Sequence, residues 1–214
     1  MIRGLTILDK ELFLVNYKSS EFEVYDSIKL SLSRQWNLKT LLVPEDIVSC
    51  DRNKCLYISD VKGGHQSSEI LRVDKNGKLI KKWSTKGGYG QLSVTHESNV
   101  ILAVCHQNKL SEYSPDGELI GETNLTYYDD YLYPNHAIKL TNGQFVFSHG
   151  LKNDGFHRVC LVAADGKLLR SFGGNRGSTI GETNVPGYLS VDANGFVLVA
   201  DSRNSQVIGF RFDI

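Results

Sequence analysis

The chain has 214 residues, of which 24 are Lys or Arg and 24 are Asp or Glu, so its formal net charge is zero. This balance argues against a surface built mainly to neutralise nucleic-acid phosphates or anionic lipid. The longest apolar runs, such as residues 100–105, have six residues, whereas a membrane helix needs roughly 20. The first residues lack the basic and apolar stretches of a secretory signal. We therefore expect one ordinary domain in the cytoplasm, with no membrane partner.

The cysteines do not form a pattern typical of zinc binding, because none of the four is part of a Cys-x-x-Cys pair. They are Cys50, Cys55, Cys105 and Cys160. Cys50 and Cys55 flank a predicted hairpin tip at residues 51–54 and could face each other across the two strands. For a chain without an export signal we expect reduced thiols here, although the sequence alone leaves a bond between them open.

Two kinds of predicted hairpin alternate along the chain. The first kind joins two mostly apolar strands, which in chain order are Leu5–Leu8 with Leu12–Val15, Asp46–Ser49 with Leu56–Asp60, Leu92–Thr95 with Val100–Val104, Ala137–Leu140 with Phe145–Ser148, and Leu189–Asp192 with Phe196–Ala200. The second kind joins a mixed strand to a polar strand through an Asn-Gly or Asp-Gly turn at Gly77, Gly117 and Gly166. Such dipeptides supply the positive φ angles of tight hairpin turns.

Together the two hairpins make a four-strand unit that recurs every ~40 to 50 residues, which is the signature of a β-propeller. The predicted blades are residues 1–38, 44–84, 90–124, 134–173 and 186–214, all within one domain that spans residues 1–214. We count about nineteen strands and no helix, and the last blade has room for only three strands. Second strands should be buried on both faces between neighbouring blades. The prediction is an all-β propeller of about five four-stranded blades, with the last blade incomplete.

One segment carries a family resemblance. Residues 185–210 show a Pro, an apolar strand ending in Asp192, an apolar strand ending in Ala200-Asp201, and then an Asn and a third apolar strand. This order resembles an NHL repeat, and the preceding Phe172-Gly173-Gly174 fits the usual linker between blades. Residues 44–83 and 134–173 resemble further copies. The chain is thus similar to the NHL propellers of animal tripartite-motif-like (TRIM-NHL) proteins, which carry RING and B-box modules upstream. The resemblance implies six blades, so we expect a domain that is short by about one blade.

The resemblance also suggests two kinds of metal enzyme as candidate functions. One NHL-like lyase holds zinc through channel histidines, and His136 lies where such a ligand would be, with Asp46, Ser93 and Tyr188 at the corresponding positions. His106 and His149 could approach the same face. Lactonase-type propellers bind calcium through carboxylates, which Asp46, Asp60 and Asp201 could supply. Because no three-histidine set is complete and Asp60 and Asp201 repeat by blade, we favour structural roles. The histidines should be hydrogen-bonded loop residues, and the two aspartates should cap local backbone N–H groups after the second strand. We expect no metal, no cofactor and no enzymatic activity.

Two kinds of binding partner remain. Some NHL propellers bind single-stranded RNA on a basic face, but Lys78, Lys81 and Lys82 belong to a predicted outer strand, where a solvated face explains them. DNA is not expected. The tyrosine-rich, acidic segment at residues 127–133 suits recognition of a protein, and packing between two blades is the alternative. The leading hypothesis is a non-enzymatic scaffold that binds a protein partner through its loop face, followed by RNA binding and then by a metal-dependent lyase or lactonase.

The candidate binding residues lie at the predicted loop face and channel mouth. They are Asp46, Asp60, His106, Tyr127, Tyr128, Asp130, Tyr131, His136, His149, Tyr188 and Asp201. At the ends of the chain we expect the ring to stay open, because the last blade lacks an outer strand and the residues Met1-Ile-Arg3 before the first strand are too few to supply one. An open ring should expose the apolar flank of the last blade around Val197, Val199, Val207 and Phe210.

Overall fold

The computed structural model of the chain describes residues 1–62, 67–85, 88, 90–104, 107–126, 134–150, 156–179, 181–192 and 195–212. These residues form nineteen β-strands and no helix. Nothing in them could cross a membrane as an apolar helix. The all-β class expected from the sequence is confirmed.

The strands form five sheets in which neighbours in sequence are neighbours in space, and we call these sheets blades 1 to 5. The strands of blades 1 and 2 are β1 (Ile2–Leu8), β2 (Glu11–Asn16), β3 (Glu21–Asp26), β4 (Leu32–Asn37), β5 (Pro44–Cys50), β6 (Cys55–Lys62), β7 (Ser67–Asp74) and β8 (Leu79–Thr85). Those of blades 3 to 5 are β9 (Gly90–Val94), β10 (Val100–Val104), β11 (Lys109–Tyr113), β12 (Leu119–Asn124), β13 (Pro134–Lys139), β14 (Phe145–His149), β15 (Phe156–Val162), β16 (Leu168–Asn175), β17 (Pro186–Val191), β18 (Val197–Asp201) and β19 (Gln206–Phe210). In the described part of the chain, blade 5 has three strands and each other blade has four.

The chain divides into two compact units, and the division passes through blade 3. Unit 1 comprises Met1–Val100 with Glu112–Ile120, and unit 2 comprises Ile101–Ser111 with Gly121–Ile214. Blades 1 and 2 therefore belong to unit 1, and blades 4 and 5 belong to unit 2.

The second strand is the most buried strand of each blade, but the expectation of burial on both faces holds only in blades 2 to 4. In β2 and β18 some residues are half-buried or exposed, because the buried clusters cover only one face of these strands. Every residue of β10 and β14 is buried, and so are all residues of β6 except Lys62. The outer strands behave in the opposite way: no residue of β4, β12 or β16 is buried. Lys81 and Lys82 lie exposed on β8, in agreement with the expected solvated face.

The tight Asx-Gly turns in unit 1 receive the aromatic ring of the preceding blade. Gly77 and Gly117 have φ angles of 83° and 84°, which glycine adopts without strain. A Cβ atom on Gly117 would lie 2.6 Å from the indole of Trp83, and one on Gly77 would overlap the indole of Trp36. Each tryptophan comes from the outer strand of its blade, so this strand packs on the next turn along the chain.

Apolar side chains of adjacent blades form the core of each unit. In unit 1, Phe13 and Val24 of blade 1 belong to one buried cluster with Ile58 and Val73 of blade 2. This contact covers one face of each blade with the apolar face of its neighbour.

Blade 5 exposes a different set of residues from the one expected. Val197 and Val199 are 1% and 0% exposed, because they pack in one cluster with Val146 and Val159 of blade 4. The expectation that they form an exposed flank is wrong. Side chains alternate between the two faces of a strand, so Leu198, between the two buried valines, is 38% exposed. The predicted Val207 is 70% exposed, and Val191 and Phe196 are 40% and 41% exposed.

Phe210, the fourth residue expected on that flank, is half-buried. Its ring stacks on Phe172 of blade 4, with the ring centroids 5.0 Å apart. That the ring stays open remains a prediction.

Candidate functional site

Three blades place an equivalent buried polar residue opposite the proline that opens their first strand. In the strand registers, Pro44 pairs with Asp60, Pro134 with His149, and Pro186 with Asp201. Asp60, His149 and Asp201 are all 0% exposed. The sequence contains the signal for this equivalence, since each of the three residues lies 15 or 16 positions after the proline of its blade.

Asp60 binds the backbone that leads into its own blade. One carboxylate oxygen accepts the N–H of Val43 at 2.7 Å, and both lie within 3.1 Å of the Leu42 nitrogen. The Lys62 ammonium lies 2.6 Å from the other oxygen. Asp60 does cap backbone N–H groups, as expected, but the expectation that these are local groups after the second strand is wrong. The capped N–H groups belong to Leu42 and Val43, in the segment before β5, because the register places Asp60 opposite the start of that strand.

Asp201 makes the same kind of contacts in unit 2. Oδ1 accepts the Asn184 N–H at 2.6 Å, and Oδ2 accepts hydrogen bonds from the side-chain amides of Asn204 and Gln206 at 2.7 and 2.9 Å. A calcium ion at Asp60 or Asp201 would have to displace these donors. Both carboxylates therefore act as structural acceptors.

Asp46 joins the first strands of blades 2 and 3 in unit 1. Oδ2 accepts the N–H of Leu92 on β9 at 2.8 Å, while Oδ1 accepts the N–H of Ile47 at 2.8 Å. Gly4 on β1 lies against the same group, because a Cβ atom at Gly4 would be 2.6 Å from Oδ1 of Asp46. Asp46 is 1% exposed, so it holds backbone between blades.

His136 repeats this contact in unit 2. Nδ1 accepts the N–H of Leu189 on β17 at 3.2 Å, just as Asp46 accepts the N–H of Leu92. Tyr188 precedes Leu189 and Gln91 precedes Leu92. The position in blade 3 that corresponds to His136 is therefore Gln91, and the assignment of Ser93 to that position is wrong.

The neighbours of His136 fix its ring. Ser148 Oγ accepts the His136 N–H at 3.2 Å and donates to the carbonyl oxygen of Gly187. The Tyr188 ring lies 5.3 Å from the imidazole, centroid to centroid. A neutral imidazole that accepts at Nδ1 carries its proton on Nε2. His136 is 4% exposed, and these contacts pack β13 against β17.

His157 is a second structural histidine, and the sequence analysis did not identify it. It is fully buried, and its Nδ1 accepts the N–H of Val185 at 2.6 Å. The hydroxyl of Thr183 donates to its carbonyl oxygen at 2.6 Å. The alternation of β15 contains a signal, since His157 shares its face with the buried Val159 and Leu161.

Several predicted site residues lie outside the described part of the chain. They are His106, Tyr127, Tyr128, Asp130 and Tyr131. Of the remaining candidates in unit 2, the structure brings His136 and Tyr188 into contact. Among the residues that the structure describes, no three His, Cys, Asp or Glu side chains are grouped to hold a metal ion.

No family model matches the chain, and no curated protein matches it. Solved structures do resemble it. Virginiamycin B lyase from Staphylococcus aureus has 12% identity and a TM-score of 0.64 over 100% of this chain and 70% of that one. Hydrazine synthase from Kuenenia stuttgartiensis has 13% identity and a TM-score of 0.68 over 92% of this chain and 55% of that one.

A third similar structure is the Dos1 propeller, with 12% identity and a TM-score of 0.61 over 99% of this chain and 61% of that one. This chain therefore spans between 55% and 70% of the length of these three structures. Likeness at this identity shows the fold, and the predicted β-propeller class with five blades is confirmed.

Proposed function

We propose that this chain is an NHL-type propeller that acts as a non-enzymatic scaffold and binds a protein partner. The described polar residues that the sequence singled out support a scaffold role. Asp46, Asp60, His136 and Asp201 direct their acceptor atoms to backbone N–H groups. Side chains engaged in this way hold the fold and are poorly placed to activate a substrate.

An exposed apolar surface on blade 1 carries the proposal of a protein partner. The registers align Ile7 with Leu12, Leu12 with Tyr25, and Tyr25 with Leu32, so one apolar row crosses all four strands. Leu5 lies on the same face, two residues from Ile7. These five residues are the blade 1 flank. Leu5, Ile7 and Leu32 are 62%, 53% and 51% exposed.

Contiguous exposed apolar surface of this kind marks contact sites for proteins. The opposite face of blade 1 indicates what kind of partner surface would bind the flank. On that face Phe13 and Val24 pack against the apolar sheet face of blade 2. We therefore propose that the occupant of the blade 1 flank is an apolar sheet face of a partner protein. Upstream RING and B-box modules, which the NHL resemblance implies, would make this chain the substrate-recognition part of a ubiquitin ligase.

A matched pair of double variants tests the proposal. Leu5→Ser with Ile7→Ser shortens two flank residues, while Ile80→Ser with Ile120→Ser shortens two residues of outer strands that are 50% and 53% exposed. Each protein is immobilised and incubated with nuclease-treated lysate of the source cells. We expect the wild type and the outer-strand variant to retain a common protein in stoichiometric amount, and the flank variant to lose it.

Two results would contradict the proposal. Equal retention by both double variants would exclude the blade 1 flank as the contact site. Capture that disappears after nuclease treatment would favour the RNA-binding alternative. A third variant, Tyr128→Ala with Asp130→Ala, tests the expected loop-face contact separately, and its loss of capture would place the partner at that face.

A further inference from the structure

Two buried thiols face each other at the end of the hairpin that opens blade 2. Cys50 and Cys55 are direct partners in the register of β5 and β6, where they close the ladder before the turn. Both are free thiols, and they are 2% and 0% exposed. Directly opposed residues of antiparallel strands have Cα atoms about 4.5 to 5.5 Å apart, with side chains on the same face.

That separation fits a disulfide without movement of the strands. Disulfides join residues with Cα atoms about 4.4 to 6.8 Å apart. The register thus pairs the two cysteines at a position where antiparallel strands hold Cα atoms in the range that a disulfide requires.

Donor groups surround the Cys55 sulfur. Tyr57 lies on the same face of β6, and Arg72 is its partner on β7. The Tyr57 hydroxyl and the Arg72 guanidinium both interact with the Cys55 thiol. In the described part of the chain, Tyr57 Oη, Arg72 Nε and the side-chain nitrogen of Asn53 have no hydrogen-bond partner of regular geometry. Oxidation of the Cys55 thiol would therefore change the interactions of the Tyr57 hydroxyl and the Arg72 guanidinium.

We propose that Cys50 and Cys55 form a reversible dithiol–disulfide site that is oxidised by small-molecule disulfides such as oxidised glutathione. One cysteine, as thiolate, attacks the disulfide, which forms a mixed disulfide and releases one reduced glutathione. The second thiolate attacks the protein sulfur of the mixed disulfide and releases the second glutathione. Two protein thiols are oxidised and one glutathione disulfide is reduced to two thiols.

Oxidation would act on a contact between blade 2 and the Asp-Gly turn at Gly117, entirely within unit 1. Arg72 Nη1 lies 3.3 Å from the carbonyl oxygen of Pro115 and 3.2 Å from Asp116 Oδ1. The same guanidinium interacts with the Cys55 thiol. A disulfide removes that thiol, so the two states of the site differ at the turn that Arg72 holds.

Burial sets the speed of the reaction. It raises the pKa of the Cys55 thiol above the ordinary value of 9.0, while Tyr57 and Arg72 lower it. The thiolate is the reactive form, so oxidation should be slow at neutral pH and faster at higher pH. The side chains of Asp51 and Lys54 at the hairpin tip are 80% and 61% exposed, so local opening of the tip is the step that would bring the oxidant to the buried thiols.

The test is a titration of the full-length chain in glutathione buffers of increasing oxidation, quenched by alkylation and digested with trypsin. Trypsin cleaves after Arg52 and Lys54, so a bond between the two cysteines links the peptide of residues 40–52 to that of residues 55–62. We expect this linked peptide, a loss of the mass of two hydrogen atoms from the chain, and simultaneous loss of both alkylation sites. Reduced glutathione should restore both.

Two variants serve as a control and as a test of the pair. Cys160→Ser, which changes a buried thiol elsewhere, should still form the linked peptide. Cys50→Ser should lose it and instead hold a glutathione adduct on Cys55. The proposal is overturned if both thiols of the wild type stay alkylatable in fully oxidised glutathione, or if each takes up glutathione independently. A link that joins two chains instead of one would also overturn it.

Discussion

Removal of the Asp60 carboxylate should destabilise unit 1 strongly. Asp60 is 0% exposed and accepts the N–H groups of Leu42 and Val43 while it pairs with Lys62. Removing one partner of a buried, hydrogen-bonded ion pair costs about 3–5 kcal/mol. We therefore expect Asp60→Ala to lower the free energy of unfolding of unit 1 by about 4 kcal/mol. Asp60→Asn keeps an acceptor for one backbone N–H, so its loss should be about half as large.

Urea denaturation followed by tryptophan fluorescence measures this effect, because both tryptophans of the chain, Trp36 and Trp83, lie in unit 1. Asp51→Ala is the matched control, since its side chain is 80% exposed at a hairpin tip and surface changes cost less than about 0.5 kcal/mol. The extrapolation to zero urea carries an error of about 1 kcal/mol. If the free energy of unfolding of Asp60→Ala lies within that error of the wild-type value, the reasoning about buried capping carboxylates is refuted.

Two further predictions concern unit 1. Gly4→Ala should cost about 2 kcal/mol in the same denaturation assay, because the added Cβ would lie 2.6 Å from Asp46 Oδ1. The exposed change Asp51→Ala is again the control. Arg34 hydrogen-bonds to Glu11 and lowers the pKa of its carboxyl below the ordinary value of 4.5. The stability from this pair is therefore present above pH 4.5 and lost as pH falls through the lowered pKa. Glu11→Gln should therefore lower the free energy of unfolding by about 1 kcal/mol at pH 7. The difference between variant and wild type should shrink when denaturation is measured at about pH 3. A difference that stays constant between the two pH values would contradict the assignment.

The fold could be predicted because its signals are local. Asx-Gly turns such as those at Gly77 and Gly117 specify hairpins from two residues, and unbroken apolar runs mark the second strands. The burial of Val197 and Val199 could not be predicted in the same way. The run at residues 196–200 is apolar on both faces, so which face is buried depends on the contact with blade 4.

In the site, too, the features that local sequence specifies could be predicted, and those that depend on distant contacts could not. The capping role of Asp60 and Asp201 was predictable because the residue recurs at one place in two blades. Gln91 was missed because blade 3 has no proline at the start of its first strand, so the sequence offers no fixed point from which to align this strand with those of blades 2, 4 and 5. His157 was missed because its role depends on the N–H of Val185, which is distant in sequence.

The most direct test of the proposed partner contact is photo-crosslinking from the blade 1 flank. Benzoylphenylalanine replaces Ile7 in one protein and, as the control, Ile80 on the outer strand of blade 2 in another, since both positions are half exposed at 53% and 50%. After irradiation in nuclease-treated lysate, we expect position 7 to become linked to one protein that position 80 does not capture. The absence of a protein crosslink at position 7, or the same crosslinks at both positions, would contradict the account.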